Sequence, residues 1–281
     1  MVKIGILGTD GGMQSGHTKA VCNIFKEHGK EWDAQIVSIF GDNADETAAL
    51  AAEYSIDVPK RYEDMAEAVD AVMIMPRDGS KHLKYAMPFI EKGMPLFMDK
   101  PFTSSAEDAA AVAAAAKKSG APICGGSYVK YTDAVSELKE LAQSGDNILS
   151  GYIAFPTQMN SAYGFHFYSH HAIEVMLTIF GNDIKDIRAT VTDDKLTVIA
   201  KYAGFPVILN YATTYTGLSA GIYLENSGEI MRKIDLSGKE AYQCKRFVEM
   251  VKSRRGDDLQ HFIDTVDISC AIEKEIIEGR V

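Results

Sequence analysis

Val2–Thr18, VKIGILGTDGGMQSGHT, decides the fold. A short apolar run enters a glycine-rich turn, and a helical pattern follows from His17 to His28. An apolar run without polar alternation reads as a strand buried on both faces, which is the habit of parallel sheets. The same pattern repeats along the first half of the chain. Ala34–Phe40, Ala71–Met75, Pro95–Met98 and Pro122–Gly125 are further apolar strands. Helical stretches at Asp45–Tyr54, Lys81–Lys92 and Ser105–Lys118, with a short turn at Asp64–Ala68, lie between them. Ser105–Lys118 opens on a serine cap with early acids and closes on lysines, as a helix end should. Strands alternating with helices through right-handed crossovers make an α/β, Rossmann-like doubly wound parallel sheet. Ligands of such sheets bind at the carboxyl ends of the strands, here the loops 8–17, 41–45, 76–82 and 99–103.

The second half changes character. A helix at Asp133–Gln143, a strand at Ser150–Pro156 and a helix at His171–Phe180 come first. Strand-like runs follow at Ile187–Thr192, Leu196–Tyr202, Val207–Tyr211, Ala220–Leu224 and Glu229–Ile234, joined by turns such as TDDK, AGFP and NSGE. Tight turns between short strands predict a mainly antiparallel open sheet in an α+β domain. Helices at Lys239–Lys252 and Asp258–Glu278 close the chain. The reading divides the chain into a dinucleotide-binding domain, 1–126, and a substrate and oligomerisation domain, 127–281, whose last helix is free to pack back on the first.

Bulk properties exclude several functions. At 281 residues the chain accommodates two domains, each with a core. A net charge of −10 argues against binding nucleic acid or acidic lipid, since phosphate attraction needs a basic face. No apolar run reaches the roughly 20 residues of a membrane span, and MVKIGIL is too short for a signal peptide's apolar core. Cys22, Cys124, Cys244 and Cys270 form no C-x-x-C pair and read as reduced thiols of a cytoplasmic protein.

The chemistry is concentrated in the loops. Gly8, Gly11, Gly12 and Gly16 could let backbone N–H groups and the next helix start cradle a phosphate. The spacing is not G-x-G-x-x-G, because Asp10 and Met13 stand where glycines belong, so a plain strand-to-helix turn is the competing reading. Asp42, in FGDNADE, is the candidate for holding the adenosine ribose and would favour NAD over NADP. Gly41 competes for that register, and an ordinary acidic turn competes for the role. Lys100 ends a buried strand beside Asp99 and before Pro101, where lysine is expensive unless solvated or paired. Pro101 restricts it to an extended backbone that aims it at a ligand; a surface lysine is the alternative.

Three segments in this context, DAVMIMPRDGSKH (70–82), FIEKGMPLFMDKP (89–101) and AAKKSGAPICGG (115–126), resemble the glucose–fructose oxidoreductase / inositol dehydrogenase (Gfo/Idh/MocA) family over residues 1 to about 140. The resemblance implies NAD or NADP, hydride transfer to or from a sugar, polyol or related small carbonyl compound, and homo-oligomers (dimers or tetramers) packed through the second-domain sheet. It implies that Lys100, in a DKP form of the family's E-K-P, orients or polarises the reacting oxygen. It further implies cofactor contacts from Gly8, Thr9, Asp10, Gly12, Gly16, His17, Asp42, Pro76, His82, Lys100 and Pro101. AYGFHFYSHHAIEVMLTIFG (162–181) stands where the family carries D-x-G-x-H-x-x-D. Alignment on IFG puts His171 on the family histidine and Glu174 on the final acid, with Phe167 in place of the first acid. A Tyr-x-x-His form also fits Tyr168 and His171. Histidine suits a general base because its charge changes near neutral pH. Tyr163, His166, His170 and His171, with Lys100, are the expected contacts to a polyhydroxyl substrate. His166 and His170 are spaced to share a helix face, but no H-E-x-x-H, cysteine pair or acid cluster supports a metal, and none is expected. Two other readings stay open: a family member without turnover that senses or assembles around a nucleotide or sugar derivative, and a metal-dependent hydrolase. The irregular glycine loop, Phe167 and a chain shorter than the family norm feed the former.

Overall fold

The computed structural model describes residues 1–9, 16–156, 165–212 and 217–279. The chain forms two units, 1–126 with 240–262 and 127–239 with 263–281.

In the first unit, β1 (Val2–Leu7), β2 (Ala34–Phe40), β3 (Ala71–Ile74), β4 (Leu96–Met98) and β5 (Ile123–Gly125) form one parallel sheet in the order β2-β1-β3-β4-β5. All of β3 and β4 is buried, which is why these strands read as unbroken apolar runs. The crossover helices are α1 (Gly16–Trp32), α2 (Ala44–Tyr54), α3 (His82–Glu91) and α4 (Ala106–Ser119). Capping chemistry sets their ends. Asn43 accepts from Glu46 N before α2, Ser105 accepts from Asp108 N before α4, and Gly120 closes α4 at φ 73°. A late helix, α7 (Lys239–Ser253), adds Cys244, Phe247, Val248 and Met250 to this unit's core, with Phe247 edge-on to Phe97. Gly8 is required where β1 ends: at φ 153° a Cβ would lie 2.8 Å from the Met75 carbonyl carbon.

The second unit has α5 (Asp133–Ala142), β6 (Ile148–Pro156), α6 (His166–Phe180), β7 (Asp186–Thr192), β8 (Lys195–Lys201), β9 (Pro206–Ala212), β10 (Ser219–Leu224), β11 (Gly228–Lys233) and most of α8 (Leu259–Glu278). The sheet order is β11-β10-β6-β9-β8-β7. It is mainly antiparallel, as the turns predict, except that β6 and β9 pair in parallel. Turn signals govern only neighbours joined by tight turns, and β9 returns to β6 by way of α6 and a hairpin. Helix α6 begins at His166 rather than at His171. The segment HFYSH has weak helix propensity, and burial overrides it: His166, Phe167, Ser169 and His170 are all buried. Among the described residues, no helix is long and apolar enough to cross a membrane.

Candidate functional site

In the first unit the functional residues follow the strand ends. Asp99 and Lys100 follow β4 directly, and Asp99 N donates to Ile74 O at the end of β3 (2.9 Å). Both side chains are buried, 4% and 5% exposed, and the Lys100–Pro101 peptide is cis. His17, in the first turn of α1, places Nδ1 2.7 Å from Asp99 Oδ2, while Glu240 Oε1 of α7 stands 3.8 Å from Nε2. Thr18 anchors that turn by donating to Gly8 O (2.7 Å). The cluster is therefore a buried carboxylate with an imidazole and an ammonium beside it.

The electrostatics follow from this packing. Burial pushes the Lys100 ammonium down to about 8; Asp99 opposes the fall and Arg77 deepens it. The Asp99 charge raises the His17 pKa against the effect of burial. Burial works to raise Asp99, but the charge and hydrogen bond of His17, with Lys100, outweigh it and hold the carboxyl below its ordinary value. A lysine near pKa 8 can hold or release a proton close to neutral pH.

The neighbouring loops are tied to this cluster. His82 is fully buried, with Nε2 2.8 Å from Pro76 O and Nδ1 3.1 Å from Phe102 O. Its ring thus clamps the loop after β3 to the DKPF turn, and Phe102 stacks on Phe262 with centroids 4.8 Å apart. At the end of β2, Asp42 accepts from Lys81 Nζ (2.7 Å) and from the Tyr85 hydroxyl. Burial raises its pKa, but these hydrogen bonds prevail and hold the carboxyl below the ordinary range. Gly41 leaves room for Thr9, whose carbonyl accepts from Asn43 N (2.8 Å). Asp42, one residue beyond, carries the carboxylate. Asp10 and Gly12 lie outside the described residues.

These residues fit a nicotinamide dinucleotide. The strand order changes direction around β1, the α1 start at Gly16 has the Arg77 guanidinium 3.3 Å from where a Cβ would sit, and a partly exposed carboxylate stands past β2. Positive charge at a helix start suits a pyrophosphate, and Asp42 suits a ribose hydroxyl.

The second unit holds the histidine segment. His171 Nδ1 lies 2.7 Å from Ser127 Oγ, and its ring stacks on Phe155 with centroids 6.0 Å apart. Ser127 N donates to Glu174 Oε1 (2.7 Å), and Lys130 Nζ donates to Glu174 Oε2 (2.9 Å) in a buried ion pair. Glu174 is thus a support for the Ser127 turn. Tyr168 is partly exposed, edge-on to Phe167, and three residues before His171 on one helix face. His166 and His170, expected to contact substrate, are instead engaged within the unit: they are buried along the early turns of α6, a helix that starts before them. His166 reaches Ser269 Oγ (2.8 Å) and Glu273 Oε2 (3.1 Å), and His170 Nδ1 donates to His166 O (2.7 Å). Tyr163 lies outside the described residues. Among the described residues, no group of three or more His, Cys, Asp or Glu could hold a metal ion.

Two pairings escape sequence reading. His17–Asp99 had a signal, since a buried carboxylate needs a partner. Ser127–His171 had none, because a contact 44 residues apart leaves no local pattern.

Residues 2–126 match the model of the oxidoreductase family with NAD-binding Rossmann fold, Gfo/Idh/MocA. No curated protein matches the chain by sequence. Among solved structures, the chain is similar to GenD2 from gentamicin A biosynthesis in complex with NAD, at 15% identity and TM-score 0.82 over 99% of this chain and 95% of that one. It is similar to UDP-N-acetylglucosamine 3-dehydrogenase GnnA from Acidithiobacillus ferrooxidans, at 17% identity and TM-score 0.77 over 98% and 99%. It is also similar to a putative myo-inositol dehydrogenase from Sinorhizobium meliloti 1021, at 17% identity and TM-score 0.77 over 99% and 98%. At these identities the likeness establishes the fold.

Proposed function

We propose, on the premise that residues 2–126 carry the NAD-binding Rossmann domain of the Gfo/Idh/MocA oxidoreductase family, that this NAD(P)-dependent oxidoreductase acts on a sugar, polyol or related small carbonyl compound. The observation that carries the reading is the buried Asp99–Lys100 pair at the carboxyl end of β4, backed by His17. When bound, the nicotinamide supplies or accepts the hydride. Lys100 donates a hydrogen bond to the reacting oxygen and stabilises the negative charge that develops there. Asp99, itself held by His17, keeps the ammonium in place. His171 hydrogen-bonds the substrate through Nε2, and Tyr168, on the same face of α6, adds a hydroxyl contact. Asp42 holds the adenosine ribose, with Lys81 at its side. The names of the two structural relatives, a UDP-N-acetylglucosamine 3-dehydrogenase and a putative myo-inositol dehydrogenase, support a hydroxylated substrate.

The protein works as a homo-oligomer in this reading. One face of the second-unit sheet carries a cross-strand row of Met231, Tyr152, Ile208 and Ile199 away from the core, and a second copy would cover it. None of the four cysteines forms a disulfide, which supports a reducing, cytoplasmic setting.

The test is a turnover screen of sugars and polyols with NAD and NADP, followed by nicotinamide absorbance, beside a thermal-shift panel with the same cofactors. Turnover is expected, and Lys100→Met should abolish it while cofactor still raises the melting temperature. No melting shift with any cofactor form would sink the reading. A shift without turnover on any substrate would favour a sensing protein instead.

A further inference from the structure

The surroundings of His171 specify which of its nitrogens carries the proton. Ser127 is fully buried, and its hydroxyl is an amphoteric group with one proton to give and two lone pairs. One lone pair takes the Val129 N–H (3.2 Å). Among the described residues, the acceptor within reach of the Ser127 hydroxyl proton is His171 Nδ1, at 2.7 Å. If Nδ1 carried a proton, two donors would converge on Oγ and the buried hydroxyl proton would have no acceptor, which is the expensive arrangement. The backbone around Ser127 is held in turn: its N–H is fixed on Glu174 Oε1, and Lys130 neutralises the other carboxylate oxygen. Phe155 and Tyr128 face the imidazole and limit its rotation.

We propose that Ser127 is a positioning residue for His171: its hydroxyl donates to Nδ1 and holds the neutral ring as the Nε2–H tautomer. The proposal rests on the reading that His171 hydrogen-bonds the substrate through Nε2. A carboxylate could only accept Nδ1–H, and Phe167, one helical turn before His171, brings none. A serine hydroxyl reverses the polarity of the ring. Neutral His171 then presents an N–H donor at Nε2, suited to bind a carbonyl oxygen that is being reduced. Protonating the ring would put Nδ1–H on Oγ and leave the buried Ser127 proton without an acceptor among the described residues, so the pair favours the neutral ring.

The tautomer is read directly by long-range proton–nitrogen correlation of the 15N-labelled full chain at a pH where the ring is neutral, with His171→Gln identifying the signal. The native protein is expected to show the Nε2–H pattern. Ser127→Ala should abolish that preference and lower kcat for carbonyl reduction about tenfold with KM little changed, less than the roughly 10²–10³ lost when a donor to a developing oxyanion is removed outright, because Nε2 still carries the proton part of the time. Ser127→Thr, which keeps the hydroxyl, should keep the tautomer. A native Nδ1–H pattern, or a Ser127→Ala ring with unaltered tautomer, overturns the proposal. If Ser127→Ala fails to fold, the native spectrum alone decides. Full activity of His171→Gln would instead overturn the functional reading and leave the tautomer assignment to the spectrum.

Discussion

Burial holds the Lys100 ammonium near a pKa of about 8, so its charged form costs the folded state free energy at neutral pH. The sign follows from proton counting. Between about 8 and 10.5 the unfolded chain holds the proton that the folded chain has released, so stability rises with pH in that window; below 8 the full cost is present. A fall from 10.5 to about 8 corresponds to ~3 kcal/mol. Lys100→Met removes this cost, although Asp99 loses one of its cationic neighbours, so the net gain is smaller. The variant is expected to be inactive yet to melt higher than the parent at pH 7 by calorimetry, with the gap closing towards pH 10. A lower melting point at pH 7 would mean that the ammonium is not paying a burial penalty. His17 has the opposite sign. Asp99 raises its pKa, so the pair stabilises the fold fully below the unfolded histidine value and loses that contribution as pH rises through the folded one. His17→Gln should therefore destabilise most in acid and least in alkali, and a pH-independent difference in denaturant midpoint would contradict it.

At the scale of elements, the turn after β1 is governed by one contact. Gly8 passes the Met75 backbone so closely that a Cβ would sit 2.8–3.0 Å from three of its atoms, two of them backbone. Gly8→Ala must push the end of β1 from β3, at a cost of about 1–3 kcal/mol, the range for overpacking and backbone strain. It should also weaken cofactor binding, because the β1 exit and the α1 start share the Thr18–Gly8 bond. An unchanged melting point and cofactor affinity would refute this. The contact explains why a glycine at position 8 was legible when the rest of the glycine motif was not: the strand-to-helix junction enforces it, whatever ligand follows. Ser105 and Gly120 around α4 were legible for the same reason, as local chemistry satisfies helix ends. The early start of α6 was not, because HFYSH is helical only through burial against α8 and the sheet. The parallel β6–β9 pair was hidden as well, since it depends on a connection through α6 that no turn signal marks. Of the site, Lys100 and His171 stood out by type and place. The pairings behind them, His17 with Asp99 and Ser127 with His171, were not written in any local pattern, because both join residues more than 40 positions apart.

At the scale of the whole molecule, neither unit is a single stretch of chain. The first takes in 240–262 as well as 1–126, and the second continues from 263. The dinucleotide-binding sheet therefore depends on α7, which arrives more than a hundred residues after β5. Cys244, Phe247, Val248 and Met250 are 0–4% exposed within that core, and Phe247 contacts Phe97 of β4. Gln243 adds a bond to Gly126 O (2.9 Å), and Asp257 N donates to Ile123 O (2.8 Å), so the returning segment also holds β5 at the sheet edge. Burying an apolar side chain of this size is worth ~1.5–3 kcal/mol, and a whole domain is stable by only ~5–15 kcal/mol. Losing four such side chains together, ~6–12 kcal/mol, is comparable to the whole stability of a domain. A fragment ending at Gly126 should thus show no cooperative thermal transition and no cofactor-dependent shift, even though it contains every strand of the sheet. Joining 240–262 to it through a flexible linker should restore both. A sharp transition from the 1–126 fragment alone, seen by circular dichroism and raised by cofactor, would show that α7 is dispensable to the core it fills.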